Sequence, residues 1–474
     1  MKSTLALLSI CFLSTVSFAQ KNTDEVLKQL DAKTDFYGDI AHTIWDYAEM
    51  GYKEVKSVEL LQKTLRDEGF IITTGVANIP TAFIAEYGTE GPVIGILGEY
   101  DALPGLSQRA VPEKQSAGGV AGHACGHHLF GTASAAAAIS VKNWLQKTKT
   151  KGIIRFYGCP AEEGGSGKVY MTRAGLFDDV DIALHWHPSA VNAANPGAAL
   201  ANKSAKFRFH GVSAHAAGAP ERGRSSLDAV ESMNYMVNMM REHIPMEARI
   251  HYVITDGGKA PNVVPDYAEV YYYARHNNRE VVIDIFDRII NAAKGAALGT
   301  DTKMEFEMIG GTHELLPNLV LQKVMYKNLT EIGGYEFDAN EIDFANKVSK
   351  SLGQKELNTK FTKGVVPFTE NARAYGSTDV GDVSFAVPTV GMGAATWVPG
   401  TPAHSWQAVA AGGTSIGTKG MMVAAKTLTA TAIELFSNTK IIDEAKAEFL
   451  ERRGADFKYI PLLGDRKPAL NYRD

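Results

Sequence analysis

The stretch "SAKFRFHG" at residues 204–211 opens a series of six short segments whose order indicates a separate domain. We interpret it as a strand, and the segments after it as helix, strand, strand, helix and strand, at residues 225–244, 249–258, 268–276, 279–298 and 303–310. The order β-α-β-β-α-β is that of the split βαβ unit, a ferredoxin-like sandwich. The sequence therefore predicts a ferredoxin-like domain over residues 204–312.

The residues on both sides of this domain have a different pattern. Short apolar runs such as "PVIGILGEYDALPG" (92–105) alternate with helical periodicity, and their consecutive apolar positions are typical of strands buried on both faces of a mostly parallel sheet. The same character resumes after residue 312. We therefore predict an outer α/β domain in two parts, residues 20–203 and 313–474, with the other domain inserted between them.

The first residues, "MKSTLALLSICFLSTVSFA" (1–19), have the pattern of a secretory signal peptide. The apolar stretch from Leu5 to Val16 is too short to span a bilayer of about 30 Å as a helix. A lipoprotein signal is the alternative because Cys11 lies in this stretch, but such signals favour a small residue where Ile10 stands. We expect an exported protein, periplasmic or secreted, that loses residues 1–19.

Composition and charge exclude several kinds of partner. The 48 Lys and Arg residues against 53 Asp and Glu residues give a formal charge of −5, without a block of like charges. Because no basic stripe or polybasic patch is present, we expect neither nucleic acid nor a membrane surface as a partner, but a small-molecule substrate. Export would permit a disulfide between Cys125 and Cys159, yet Cys125 lies among histidines, where a thiolate would be a strong metal ligand.

Side chains that can bind metal ions occur at element ends of the outer domain. They are Cys125 and His127 before a helix, Glu162 and Glu163 after a strand, His185 and His187 in "LHWHP", and His404 in "PAHSWQ". Ligands gather at the carboxyl ends of strands in α/β sheets. Adjacent carboxylates point apart, so one can bind a metal while the other moves protons, as metal-assisted hydrolysis requires. Each cluster alone is also compatible with a solvated loop; their joint occurrence favours a metal site.

Seven motifs occur in an order that points to a known family. The chain resembles the amidohydrolase branch of the aminoacylase/carboxypeptidase metallopeptidases, and within it the subfamily that hydrolyses aminobenzoyl-glutamate, through "GHACGHH", "PAEEGG", "HWHP", "FHGVSAHAAGAPERGRSSLDAVE", "DGGKAPNVVPDYAEV", "GSTDVGDVS" and "PAHSWQ". The likeness covers nearly the whole mature chain. It implies an α/β two-metal catalytic domain interrupted by a smaller lid, residues 204–312, through which two subunits dimerise.

The resemblance also implies roles for individual residues. The metal ligands would be Cys125, His127, Glu163, His185 and His404. His185 is preferred to His187 because the family's ligand histidine stands three positions before the proline. Glu162 corresponds to the general base, and Asp101 to a group that orients a ligand. The cofactors implied are two divalent ions per subunit, Mn or Zn, with Mn favoured by the likeness.

The lid would supply the substrate-binding residues. His215 matches a histidine that relatives extend into the active site, commonly that of the partner subunit, and Asn262 and Arg275 fall where relatives bind the substrate's carboxylate. Two positions depart from the family pattern: His128 stands where an Asp is usual, and Glu99 stands where peptidase relatives have a ligand histidine.

We therefore predict a metal-dependent amidohydrolase that cleaves the amide bond of N-acyl or N-aroyl amino acids, such as aminobenzoyl-glutamate conjugates. It would act as a homodimer, or as a heterodimer with a paralogue. The alternatives are a dipeptidase or carboxypeptidase and, from another class, an exported binding protein without turnover. Glu162 argues against a binding protein, because such a protein has no use for a free general base.

Overall fold

The computed structural model describes residues 22–195, 197, 199–370 and 376–474. The signal peptide predicted at residues 1–19 lies outside these residues and stays a prediction. In the described part of the chain, no helix is both long and apolar enough to cross a membrane. Cys125 and Cys159 are buried free thiols, so they do not form the disulfide considered as the alternative to metal binding.

The strands and helices follow one another in the order that the sequence patterns indicate. The strands are β1 (Ile71–Thr74), β2 (Phe83–Tyr87), β3 (Val93–Gly98), β4 (Leu103–Pro104), β5 (Ala121–Gly122), β6 (Ile153–Gly158), β7 (Ile182–Ser189), β8 (Ala201–His210), β9 (Arg249–Asp256), β10 (Tyr267–His276), β11 (Lys303–Thr312) and β12 (Thr389–Ala395). The helices are α1 (22–31), α2 (Thr34–Tyr47), α3 (Val55–Asp67), α4 (His127–Thr148), α5 (Glu162–Gly165), α6 (Gly167–Arg173), α7 (Ser226–Met240), α8 (Arg279–Thr300), α9 (Leu319–Ile332), α10 (Ala339–Ser351), α11 (Lys360–Lys363), α12 (Val380–Ala386), α13 (Trp406–Gly412), α14 (Ser415–Ser437) and α15 (Lys440–Arg453).

A six-stranded sheet forms the centre of the outer domain. Its strands lie in the order β1-β2-β6-β3-β7-β12. Strands β6, β3, β7 and β12 are parallel, whereas β1 and β2 run antiparallel at one edge. The prediction of a mostly parallel central sheet is therefore confirmed.

Both faces of this sheet are covered. One face carries Ile94, Ile96 and Leu184 into a core with α4 and α14, and the other carries Leu97 and Tyr157 into a core with α6 and α12. Burial on both faces explains why β3 is apolar at consecutive positions and lacks the alternation of a half-exposed strand. Helix α4 packs closely on the sheet because alanine and serine predominate in its middle.

The lid is built on a second sheet, in the order β11-β8-β10-β9, whose neighbouring strands are all antiparallel. Helices α7 and α8 cover one face and enclose a core that includes Phe207, Tyr272 and Phe286. Side chains of Ser225 and Asn278 accept hydrogen bonds from the first backbone N–H groups of these helices, which fixes where each helix begins. This strand order and helix placement confirm the ferredoxin-like fold.

Candidate metal centre and active site

The carboxyl ends of β3, β6 and β7 and the start of α4 meet at one edge of the outer domain's sheet. We call the site between them the crevice; it contains Glu99, Asp101, Cys125, His127, Glu162, Glu163, His187 and His404. These side chains come from five separate parts of the sequence. Because the three strands are parallel, their carboxyl ends open on the same side and bring these parts together.

His127 lies at the centre of the crevice and is fully buried. Its Nδ1 lies 2.7 Å from Oδ1 of Asp101, and its Nε2 lies 3.0 Å from Oε2 of Glu99. The second carboxylate oxygen of Asp101 accepts a hydrogen bond of 2.9 Å from the backbone N–H of Glu163. Asp101 therefore fixes both the ring of His127 and the backbone of the acid pair, which is how an outer partner orients metal ligands.

Cys125 is shared between two groups of candidate ligands. One group is Cys125, His127 and His187, and the other is Cys125, Glu163 and His404; within each, the ligand atoms lie within 4.8 Å of one another. The sulfur of Cys125 is 3.4 Å from Nε2 of His187, whose Nδ1 donates to the carbonyl of Pro188. Nε2 of His404 is 3.1 Å from Oε1 of Glu163. A thiolate between two groups is suited to bridging two ions.

His187, rather than His185, joins the crevice, and this corrects the ligand selected from the motif. Both histidines project from the same face of β7, but His187 is two residues closer to the carboxyl end of the strand. His185 lies against β12, where a Cβ on its partner Gly391 would approach the ring to 2.2 Å. Burial lowers the pKa of His185 to about 3, and its Nε2 has no hydrogen-bond partner in the described structure.

The adjacent acids Glu162 and Glu163 face different neighbours. Glu163 belongs with Cys125 and His404, whereas Glu162 belongs with Glu99 and His127. Burial, reinforced by the charges of Glu99 and Glu163, raises the pKa of Glu162 well above its usual range. The pair thus separates one carboxylate at the ligand side of Cys125 from one held in an acid-rich, low-dielectric position.

The three predicted substrate residues all lie on the lid. His215 is exposed, and its Nδ1 accepts hydrogen bonds of 3.2 and 3.0 Å from the N–H groups of Ala217 and Gly218. The backbone of Asn262 is next to it, because the carbonyl of Asn262 accepts from the N–H of Ala216. The guanidinium of Arg275, on β10, lies 4.9 Å from the centre of the Tyr273 ring.

Comparison with known proteins identifies the family. A family model described as the peptidase dimerisation domain matches residues 201–301. One of the two subunits of the p-aminobenzoyl-glutamate hydrolase of Escherichia coli K12 is 44% identical over 468 residues, which cover 93% of this chain and 97% of that protein. The chain belongs to the M20 peptidase family. This membership confirms the resemblance drawn from the motifs, the α/β fold with its inserted dimerisation domain, and the prediction that the protein is a hydrolase.

Two further relatives of this M20 peptidase extend the comparison. The Xaa-Arg dipeptidase of Homo sapiens is 29% identical and covers 76% of this chain and 77% of its own length. Among solved structures, a dinuclear metal-binding peptidase of the M20 family from Bacillus subtilis has a TM-score of 0.57 at 17% identity, covering 86% of this chain and 99% of that one. That likeness concerns the fold.

The donor atoms of this M20 peptidase fit divalent metal ions. Oε2 of Glu99, Nε2 of His127 and Oε1 of Glu163 are buried without a hydrogen-bond partner in the described structure. With the Nδ1 proton of His127 directed at Asp101, its Nε2 lone pair and the Glu99 carboxylate face each other as two acceptors. Such an arrangement needs a cation between or beside them. One sulfur, several imidazoles and carboxylates form a donor set typical of Zn or Mn.

Sequence reasoning missed a buried ion network behind the crevice. Nζ of Lys168 lies 2.7 Å from Oε1 of Glu99 and 2.6 Å from Oδ1 of Asp379, and all three side chains are buried. The lysine partly compensates the negative charge of the acids, because a buried carboxylate without a partner is costly. Asp379 lies within the motif "GSTDVGDVS", so the motif could have indicated it. Nothing in the local pattern singles out Lys168, whose role depends on contacts with distant residues.

Proposed function

We propose that this M20 peptidase is a metal-dependent amidohydrolase that cleaves N-acyl or N-aroyl amino acids, with aminobenzoyl-glutamate-like conjugates as the substrate type. The observation that carries the proposal is the division of labour between Glu162 and Glu163 in the crevice. One acid joins Cys125 and His404, and the other stays beside His127. The 44% identity to a p-aminobenzoyl-glutamate hydrolase subunit supports the substrate type.

Five residues would hold the metal: Cys125, His127, Glu163, His187 and His404. Two divalent ions, Mn or Zn, would polarise the substrate's carbonyl group and lower the pKa of a water. Burial raises the pKa of the Cys125 thiol, so its thiolate form depends on positive charge close to the sulfur. We therefore expect metal binding to release a proton from Cys125.

Glu162 would act as the general base and then as the general acid. Its carboxylate takes a proton from the attacking water and returns that proton to the nitrogen of the leaving amine. His215 would stabilise the oxyanion: because its Nδ1 accepts from two backbone amides, its proton is on Nε2, which points away as a donor.

The substrate would lie between the crevice and the lid. Arg275 and Asn262 would bind its α-carboxylate, and contact with the Tyr273 ring helps to hold the guanidinium in place. Beside His404, a pocket of about 470 Å³ is lined partly by Trp406. An aromatic wall of this kind suits the ring of an N-aroyl group.

Assembly would proceed through the lid. Strand β9 is a sheet edge with Tyr252, Val253 and Ile254 exposed, and α7 exposes Tyr235 and Met239 beside it. We propose a dimer through this surface, with a second copy or with a paralogue; relatives named as the other subunit of the same hydrolase support the second option. If His215 acts across the dimer, co-expressing a His215→Ala chain with a Glu162→Ala chain restores activity in mixed dimers.

We also propose that the protein is exported after removal of residues 1–19. The support is the sequence pattern described above, with an apolar stretch followed by small residues. Mass spectrometry of the protein recovered from the periplasm or medium tests this: an N-terminus at Gln20 is expected, and retention of Met1 in the cell would contradict it.

Hydrolysis of a defined panel tests the proposed reaction. The protein is loaded with Mn or Zn and offered p-aminobenzoyl-glutamate, N-acetyl amino acids and dipeptides ending in arginine. We expect release of glutamate from the aroyl conjugate at the highest kcat/KM. The similarity to Xaa-Arg dipeptidase makes dipeptide hydrolysis the second candidate, and faster dipeptide cleavage would replace the first. Binding of the panel without any turnover would indicate a binding protein instead.

A further inference from the structure

The acid pair lies in a backbone turn that is difficult to maintain. Ala161 and Ser166, on either side of α5, have φ values of 55° and 61°, and Gly164 within it has a φ of 85°. Left-handed conformations at residues other than glycine are unfavourable and persist where surrounding contacts hold them. The position of Glu162 and Glu163 therefore depends on what holds residues 161–166.

Side chains from the N-terminal part of the outer domain hold most of this turn. The N–H of Ala161 donates to Oε1 of Glu54 at 2.8 Å, and the N–H of Glu163 donates to Asp101 at 2.9 Å. The hydroxyl of Tyr52 donates to the carbonyl of Gly165 at 2.7 Å. These three contacts leave the carbonyl of Glu163 as the group that the nearby chain does not bind.

Two residues more than 300 positions away bind that carbonyl. The hydroxyl of Tyr472 donates to it at 3.0 Å, and Nη2 of Arg473 donates to it at 2.6 Å. The Tyr472 ring packs edge-on against Tyr52, with ring centres 5.5 Å apart. Gly51 leaves room for it, because a Cβ at Gly51 would lie 2.2 Å from the Tyr472 hydroxyl oxygen. The contact is thus built from both sides.

The same segment, residues 462–473, also contacts the lid. Nη1 of Arg466 donates to the carbonyl of Ile309 on β11 at 2.6 Å. Leu462 packs in a small core with Ala201 and Val282, which belong to β8 and α8. One continuous segment therefore runs from the lid to the backbone of the acid pair.

We propose that Tyr472 and Arg473 are positioning residues for the Glu162–Glu163 pair. By binding the carbonyl of Glu163, they hold the turn in the conformation that directs Glu163 to Cys125 and His404. This inference rests on the proposed function, in which Glu163 binds metal and Glu162 is the general base. The two donors act through the backbone and do not contact the reacting atoms.

The test compares the variants Tyr472→Phe, Arg473→Gln and their double with the matched control Tyr459→Phe. The Tyr459 hydroxyl lies earlier in the same part of the chain and donates to Asp382 at 2.7 Å, away from the turn. We measure hydrogen–deuterium exchange of residues 161–166 in metal-free protein, the Kd for Mn and Zn, kcat and KM separately, and the thermal midpoint.

We expect the double variant to exchange residues 161–166 faster, to bind metal about 10- to 100-fold more weakly, as loss of outer partners of ligands typically does, and to lose kcat with less change in KM. Tyr459→Phe should lower the thermal midpoint while leaving metal Kd and exchange at the turn unchanged. Parent-like exchange and metal affinity in the double variant would overturn the proposal, as would equal losses in the control.

The exchange and metal measurements do not depend on the substrate. If the parent hydrolyses none of the panel while the double variant shows the expected exchange and metal losses, the positioning role stands and the proposed reaction fails. If the parent hydrolyses the aroyl conjugate while the double variant equals the parent, the positioning role fails and the proposed reaction stands.

Discussion

The crevice and the lid depend on different things that the single chain does not supply. In the crevice, buried acceptors such as Oε2 of Glu99 and Nε2 of His127 face one another without hydrogen bonds, so positive charge is needed to balance them. In the lid, the main chain is paired and the helices are capped, but apolar residues on β9 and α7 remain exposed. The crevice therefore calls for cations, and the lid for a second chain and a substrate. Mutations should separate accordingly, with chemistry and metal affected in one region and binding and assembly in the other.

The largest effect is expected at Glu162. Glu162→Gln should reduce kcat by about 10²- to 10⁴-fold, because an amide can neither take the water's proton nor return one to the leaving nitrogen. Both ions and substrate affinity should be retained, as shown by metal analysis and equilibrium binding. Glu59→Gln, at an exposed position on α3, is the control and should match the parent. Parent-like turnover in Glu162→Gln would require another base.

A comparison of two histidines on one strand sharpens the description of the crevice. His187→Ala should weaken metal binding by at least about 10- to 100-fold, since even outer partners of ligands have effects of this size. His185→Ala should keep both ions, because this ring faces Gly391 rather than Cys125. Inductively coupled plasma analysis after dialysis gives the metal content. The reverse result would restore the ligand chosen from the motif.

On the lid, the effect should fall on substrate binding. Arg275→Gln should raise KM by about 10- to 100-fold, the equivalent of the roughly 1.5–3 kcal/mol that a hydrogen bond to a charged group contributes. Metal content should not change. Arg288→Gln, on the outer side of α8, serves as the control variant. An unchanged KM, or a loss of metal, would show that the two regions do not divide in this way.

The smallest effect is expected for assembly. Ile254→Lys, on the exposed edge strand β9, should raise the dimer Kd by at least about tenfold, because a charge would be buried in the contact. Leu298→Lys introduces the same charge at an exposed leucine on α8, and it should leave the dimer intact. Sedimentation velocity over a range of concentrations measures both. Equal behaviour of the two variants would place the dimer contact elsewhere on the molecule.

Much of this architecture could be predicted because it depends on local patterns. The β-α-β-β-α-β order of residues 201–312 follows from residue periodicity, and the buried parallel strands follow from consecutive apolar positions. The position of Asp101 beside His127 was also expected from the motifs. Choosing between His185 and His187 failed, since residues two apart on a strand share a face and differ only in depth.

The sequence by itself determined the α/β class, the inserted domain and the types of residue in the site, because these depend on periodicity and on side-chain chemistry. Only the tertiary structure decided which atoms meet. It brought His187 to Cys125, buried Lys168 between Glu99 and Asp379, and placed Tyr472 and Arg473 on the carbonyl of Glu163. Such contacts join residues up to 310 positions apart, and they are fixed by how strands and helices pack, which local sequence patterns do not encode.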